Sequence, residues 1–357
     1  MTSISKSHGY TLIELLVAIV ILSLLCVILA SMTQMIAKTW TSTTAKIEQF
    51  NNAREGFESM TRRLSQAVLN TYWDYDRDAN GNPIRYIRES ELRFVSGPGL
   101  AGSAATTPPR PTHSVFFQAP LGYSEVASYG NLGNLLNTWG YYIEYSDDSQ
   151  TRPSFTTQPV RTRFRLIEMT EPTENLTLYQ YTSGTNSSGN PKNPSYQGSE
   201  WYTHPLSASP KRVMAENIIA LVILPRFAAY EKNSSAVPFS ADALAPAYSY
   251  DTTVANADPE TNSKNQLPPV LQVAMVAIDE ASAERMSAQA NQLLLQKIGS
   301  LFTNASAFTS DLYLNPQTDV SQDPSLEAYL IRNKINYRIL TTNISLKSAK
   351  WSTEQAD

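Results

Sequence analysis

Lys6-Ser7-His8-Gly9-Tyr10-Thr11-Leu12-Ile13-Glu14-Leu15-Leu16-Val17-Ala18-Ile19-Val20 opens the stretch, residues 6–38, around which the chain is organised. A short polar leader carrying Lys6 ends at Gly9, and an apolar run from Tyr10 to Ala37 follows whose one carboxylate is Glu14. Between Leu15 and Ala30 only Ser23 is polar, so the run can cross a hydrocarbon core about 30 Å thick. The first expectation is a helix that crosses a membrane once, because no second run of that length follows. A secretory signal cleaved late, at Ala30, is the less favoured alternative. Lys6 and the initiator amine lie ahead of the run, which by the positive-inside rule places the large C-terminal part outside the cytoplasm.

Glu14 is the residue that an ordinary anchor does not need. A carboxylate deep in a membrane helix costs about 2.5 to 3.5 kcal/mol on insertion scales, so an acid there usually has a partner and a task. The bland reading keeps it at the headgroups, since it stands at the start of the run. Charge position alone leaves both readings open.

The order of residues Gly9-Tyr10-Thr11-Leu12-Ile13-Glu14-Leu15-Leu16-Val17-Ala18-Ile19 resembles the prepilin cleavage and methylation motif of type IV pilins and type II secretion pseudopilins. The resemblance implies cleavage by prepilin peptidase between Gly9 and Tyr10, N-methylation of Tyr10, and an assembly role for Glu14. Tyr10 departs from the pattern, where phenylalanine is commoner. Gly9 suits such a bond physically, because without a side chain the backbone can lie extended and close to a peptidase. The resemblance further implies that Glu14 pairs with the Tyr10 amine of a neighbouring subunit. Beyond the motif, the size of the chain, Leu267-Pro268-Pro269-Val270 and Tyr72-Trp73-Asp74-Tyr75-Asp76 resemble large minor pseudopilins of the J and W types and the Verru_Chthon cassette protein C group. No function follows from that group name.

With 357 residues, 42% of them hydrophobic and 17% charged, the chain can bury a sizeable core beyond the anchor. The formal net charge of -4 gives no electrostatic footprint for nucleic acid. Cys26, the single cysteine, lies inside the apolar run, so no intramolecular disulfide can form.

From Ile47 to Val68 the apolar residues Ile47, Phe50, Phe57, Met60, Leu64 and Val68 recur at helical spacing, which predicts an amphipathic helix continuing the first. The whole element would reach about 90 Å, with Gly56 as its weak point and the place for a slight bend. After Asn70, strands are expected at Ile84–Arg88, Glu91–Val95, Ser114–Gln118, Tyr141–Tyr145, Arg163–Glu168, Leu176–Tyr181, Ile218–Leu224, Val270–Ile278 and Ile335–Leu346. One later helix is expected over Ala281–Phe302, and loops over Gly97–Thr112, Gly184–Ser199 and Ala229–Pro268. The predicted fold is therefore α+β, pilin-like: a long N-terminal helix, half membrane and half amphipathic, packed on a mainly antiparallel β-sheet head. Its expected divisions are a leader (1–9), a transmembrane assembly helix (10–38), an amphipathic helix (39–70) and an extracytoplasmic head (71–357).

Other motifs weigh less. Gly97-Pro98-Gly99-Leu100-Ala101-Gly102 spells a dinucleotide fingerprint but precedes no helix. Asp76, Asp78 and Asn80 match the first half of a calcium loop, yet Ile87 occupies the twelfth position, where a bidentate glutamate is required. A hairpin turn at Asn80-Gly81-Asn82-Pro83 is the preferred reading, with calcium as the alternative. His113 and His204 read as surface or half-buried residues, and no nucleophile motif accompanies them, so no catalytic residue, metal or cofactor is assigned. The function expected is a minor pilin or pseudopilin subunit, not an enzyme, working with prepilin peptidase, other subunits and the inner membrane. A pilus-borne or membrane-anchored adhesin is the alternative, and a membrane-anchored hydrolase the least favoured.

Overall fold

The computed structural model describes residues 11–149, 152–180, 198–228, 244–255 and 261–351. The chain divides into two compact units, Met1–Gln49 and Phe50–Asp357. Helix α1, Leu12–Leu64, runs unbroken through the boundary in sequence.

In the first unit, α1 is bare. Leu12, Leu16, Val20, Leu24, Ile28 and Met35 are all exposed, so no stripe is set aside for packing among the described residues of this unit. The helix is long and apolar enough to cross a membrane.

In the second unit the same helix becomes one-sided. Ala53, Gly56, Phe57, Met60 and Leu64 are buried, while Arg54, Glu55, Glu58 and Arg62 face solvent. Burying Phe57, Met60 and Leu64 stabilises the join by about 1.5 to 3 kcal/mol each. Gly56 is thus more than a weak helix position: a Cβ there would stand 3.3 Å from Ala215 Cβ and 3.4 Å from the Met214 carbonyl oxygen. The helix ends at Leu64, earlier than the expected 70, as Ala67 N–H turns back to Leu64 O and Val68 N–H donates to Gln118 O.

The head follows in chain order: β1 Tyr72–Arg77, β2 Pro83–Glu89, β3 Phe94–Pro98, β4 His113–Pro120, β5 Leu136–Asp147 and β6 Thr162–Glu171. Next come α2 Thr177–Gln180, α3 Glu200–Ala208, β7 Lys211–Glu216, β8 Ile218–Arg226, β9 Tyr250–Asp251 and β10 Val270–Ile278. It finishes with α4 Glu280–Arg285, α5 Ala288–Ser300, α6 Phe308–Leu312, α7 Leu326–Arg332 and β11 Tyr337–Ser345. The strands form a six-stranded sheet ordered β7-β6-β5-β4-β3-β9, a three-stranded sheet β11-β10-β8 and the two-stranded β1-β2, with every pairing antiparallel.

Alternation along the six-stranded sheet builds two cores. Phe94, Val115, Phe117, Tyr141, Ile143, Phe164 and Leu166 join β8, β10 and the α1 stripe on one face. Their neighbours Val95, Phe116, Tyr142, Ile167 and Met169 meet Trp201, Tyr202 and Leu206 of α3 on the other. A period of two with both faces covered yields near-continuous apolar runs.

Several expectations are corrected. Leu176–Tyr181 is no strand: Pro172 opens a turn, the Glu171 carboxylate accepts from Thr177 N–H at 2.9 Å, and α2 follows, with Tyr181 outside the described residues. The single helix over Ala281–Phe302 is two helices, because Asp279 caps α4 through Ser282 N–H and Ser287 caps α5 through Ala290 N–H. The strand over Glu91–Val95 starts later, at Phe94, and runs on to Pro98. The loop Gly184–Ser199 lies outside the described residues except for Gly198 and Ser199, and Ala229–Pro268 contains β9.

Replacing Gly56 with leucine is expected to lower the thermal midpoint of the head. The side chain must displace β7 at Met214 and Ala215, at a cost of about 1 to 3 kcal/mol. An unchanged midpoint by circular dichroism would refute this close packing.

Candidate functional site

Thr11 and Glu14 form a reciprocal cap at the start of α1. Glu14 N–H donates to Thr11 Oγ1 at 3.3 Å, while Glu14 Oε2 accepts from Thr11 N–H at 2.8 Å and from Thr11 Oγ1 at 2.9 Å. A helix leaves its first N–H groups without intrahelical partners, and a Thr-x-x-Glu box satisfies two of them reciprocally. The signal stands in the sequence as Thr11-Leu12-Ile13-Glu14, but a reading based on the cost of the charge alone passes over it. Gly9 and Tyr10 lie outside the described residues.

Downstream, the exposed apolar surface continues through Ile36 and Trp40. Polar side chains within it are turned onto the helix itself: Ser23 Oγ donates to Val20 O at 2.8 Å, Ser31 Oγ to Ile28 O at 2.7 Å and Thr33 Oγ1 to Leu29 O at 2.8 Å. Chemically, this element can offer an apolar surface and one carboxylate at its head.

Asp76, Asp78 and Asn80 come together on the β1–β2 hairpin. The Asp78 carboxylate accepts from Asn80 N–H at 2.9 Å and Asn82 N–H at 2.8 Å, and those bonds, Asn82 first, hold its pKa below the usual carboxylate value. Asp76 pairs with Arg85 at 3.0 Å. Both carboxylates therefore serve the turn and its strand pair. Among the described residues no group of three or more His, Cys, Asp or Glu side chains could hold a metal ion.

The histidines part company. His113 is fully buried, contrary to the surface or half-buried expectation, because it binds the unpaired edge of β8. Ile223 N–H donates to Nδ1 at 3.0 Å, so the proton sits on Nε2, which donates to Phe302 O at 3.1 Å. Thr112 Oγ1 accepts from Leu221 N–H at 3.2 Å, two residues along the same edge. Burial pushes the His113 pKa down to about 4. His204 is exposed on α3, with Nδ1 3.1 Å from Thr177 Oγ1. The Thr177 hydroxyl donates to buried Glu171, so His204 stands as donor to it and the group ties α2 to α3. Burial raises the Glu171 pKa.

Two further features line clefts in the head. Arg63 of α1 pairs with Glu168 of β6, which also accepts from Tyr141 Oη at 2.8 Å, and lies 4.8 Å over the Trp139 ring. A cleft of about 740 Å³ is flanked by Arg110, Tyr145, Arg165, Lys211 and Arg212. Two of its arginines are engaged, Arg110 with Glu144 at 3.0 Å and Arg165 with Glu216 at 3.1 Å.

A family model described as a prokaryotic N-terminal methylation motif matches residues 4–30. No curated protein and no solved structure matches the chain. The match supports a prepilin-like N-terminus of the type IV pilin kind, a motif that implies processing by prepilin peptidase and assembly with other pilins.

Buried neutral His113 sets a pH dependence. The unfolded imidazole takes a proton near pH 6.5 and the folded one near 4, so stability is complete above about pH 7 and falls as pH drops between these values. At pH 5 the loss is about 2 kcal/mol. Urea unfolding at pH 7 and pH 5 is expected to show it, and His113→Gln should cut the difference between the two pH values by about that amount.

Proposed function

We propose that the chain is a prepilin-type subunit whose leader, residues 1–9, is removed between Gly9 and Tyr10, with methylation of the new Tyr10 amine. The matured helix stays in the inner membrane as a single span, with the head on the extracytoplasmic side, until it enters a pilus or type II secretion-like filament. The observation that carries this reading is the coincidence of the methylation motif over residues 4–30 with the exposure, on every side, of the α1 residues of the first unit that follow it. A helical surface left exposed within its own unit is suited to lipid first and to other helices afterwards.

Glu14 is proposed to meet the Tyr10 ammonium of a neighbouring subunit. An ammonium and a carboxylate, each costly in lipid, offset one another when paired, and the pair fixes the axial register of two helices. The cap with Thr11 supports this role, since it holds the carboxylate at the helix start in a defined rotamer. The finer reading is a minor subunit at a filament end, where a head of this size need not fit a repeated spacing.

Mass spectrometry of the chain from membranes of its host is expected to find a mature N-terminus at Tyr10 carrying a methyl group; a chain starting at Met1 would overturn the reading. Glu14→Gln keeps a cap acceptor and loses the charge. If charge pairing drives assembly, Glu14→Gln should co-purify with partner subunits as poorly as Glu14→Leu, at least tenfold below wild type. Wild-type recovery of Glu14→Gln would assign Glu14 to capping alone.

A further inference from the structure

The β1–β2 hairpin is exposed on both faces. A two-stranded ribbon is marginal in water without a surface to pack on. Here Trp73 is 55% exposed, Tyr86 63% and Ile84 64%, so large apolar groups that would normally be covered stand in solvent.

The register sorts its side chains into two faces. Tyr75 stands opposite Tyr86 and Trp73 opposite Arg88, and the contacts follow: the Tyr75 and Tyr86 rings lie 4.7 Å apart, Arg88 lies 5.9 Å from the Trp73 ring, and Arg77 lies 5.7 Å from the Tyr75 ring. This face is aromatic, and its charged side chains are both arginines. The opposite face carries Tyr72, Asp74, Asp76, Arg85, Ile87 and Glu89, with Asp76 paired to Arg85. It holds three carboxylates against one guanidinium, so the two faces have opposite sign.

We infer that the hairpin is a docking element for a second copy of this chain, the aromatic, arginine-bearing face of one copy lying on the acidic face of the next. Charge complementarity selects this occupant. Each face repels its own kind, which disfavours a symmetric pairing, and each finds the other on an identical ribbon. Stacked sheets lie about 10 Å apart, close enough for the Arg77 guanidinium to reach Asp74 of the next copy. Trp, Tyr and Arg are also the residues that dominate interface energetics once desolvated. The contact concerns the head and is independent of how the N-terminal helix assembles.

Cysteine cross-linking of the full chain in membranes tests it, in a Cys26→Ser background. Tyr86→Cys marks the aromatic face and Ile87→Cys the acidic one. Co-expressed with different tags and treated with a short bis-maleimide, which spans facing sheets that stand too far apart for a direct disulfide, the two variants are expected to give a mixed cross-linked dimer at least tenfold above either variant alone. Arg77→Glu on the Tyr86→Cys chain should lower that yield several-fold, and Asp74→Lys on the Ile87→Cys chain should restore it. This rescue separates a lost contact from a misfolded hairpin. Absence of the mixed dimer, equal cross-linking of Tyr86→Cys with itself, or failure of the charge swap to restore the yield would each overturn the inference.

Discussion

The stripe Ala53, Gly56, Phe57, Met60 and Leu64 is the contact on which the head depends. It lets a helix that is apolar all round at its start become one-sided at its end, with Arg54 and Glu58 held outward in an i,i+4 pair at 2.7 Å. Arg63 then anchors the last turn to Glu168 and Tyr141, so a long helix without a bundle of its own finishes inside an antiparallel sheet. Gly56 makes this possible by letting helix backbone and β7 approach to side-chain-free distance.

Much of this was legible because its physics is local. Val270–Ile278 is legible with the bounds it has, since nine residues of which all but Gln272 are apolar, most of them buried, leave little alternative to a central strand. The bare helix was legible from composition, and the methylation motif from residue order. The β1 strand was not, because Tyr-Trp-Asp-Tyr-Asp-Arg is half charged and its apolar half faces solvent, so nothing in the pattern distinguishes it from a turn. The burial of His113 was beyond sequence reading for a different reason: it arises where the end of one sheet meets the edge of another.

That meeting explains why the histidine is buried at all. β8 pairs with β10 on one side, and its other edge would leave alternate amides unmatched in a core where Ile218 to Ile223 are fully buried. Thr112 and His113 supply acceptors at Leu221 and Ile223, doing with side chains what a fourth strand would do with backbone. A buried neutral imidazole serves as an acceptor on one nitrogen and a donor on the other, which no aliphatic residue at the start of β4 could replace.

The same accounting of donors bears on the N-terminus of α1. Helix ends are tolerated in water because solvent completes them, but an end that enters an apolar phase must carry its partners with it. Thr11 and Glu14 supply two of those partners within one turn, and the second carboxylate oxygen, Oε1, keeps its lone pairs beyond the two bonds that Oε2 accepts. Capping and the proposed pairing with a neighbour's amine are therefore compatible uses of one group. A carboxylate already fixed by its own helix loses less rotamer freedom on meeting a second partner than a free one would. By this argument Thr11 is a positioning residue for the proposed assembly contact, acting through the orientation of Glu14.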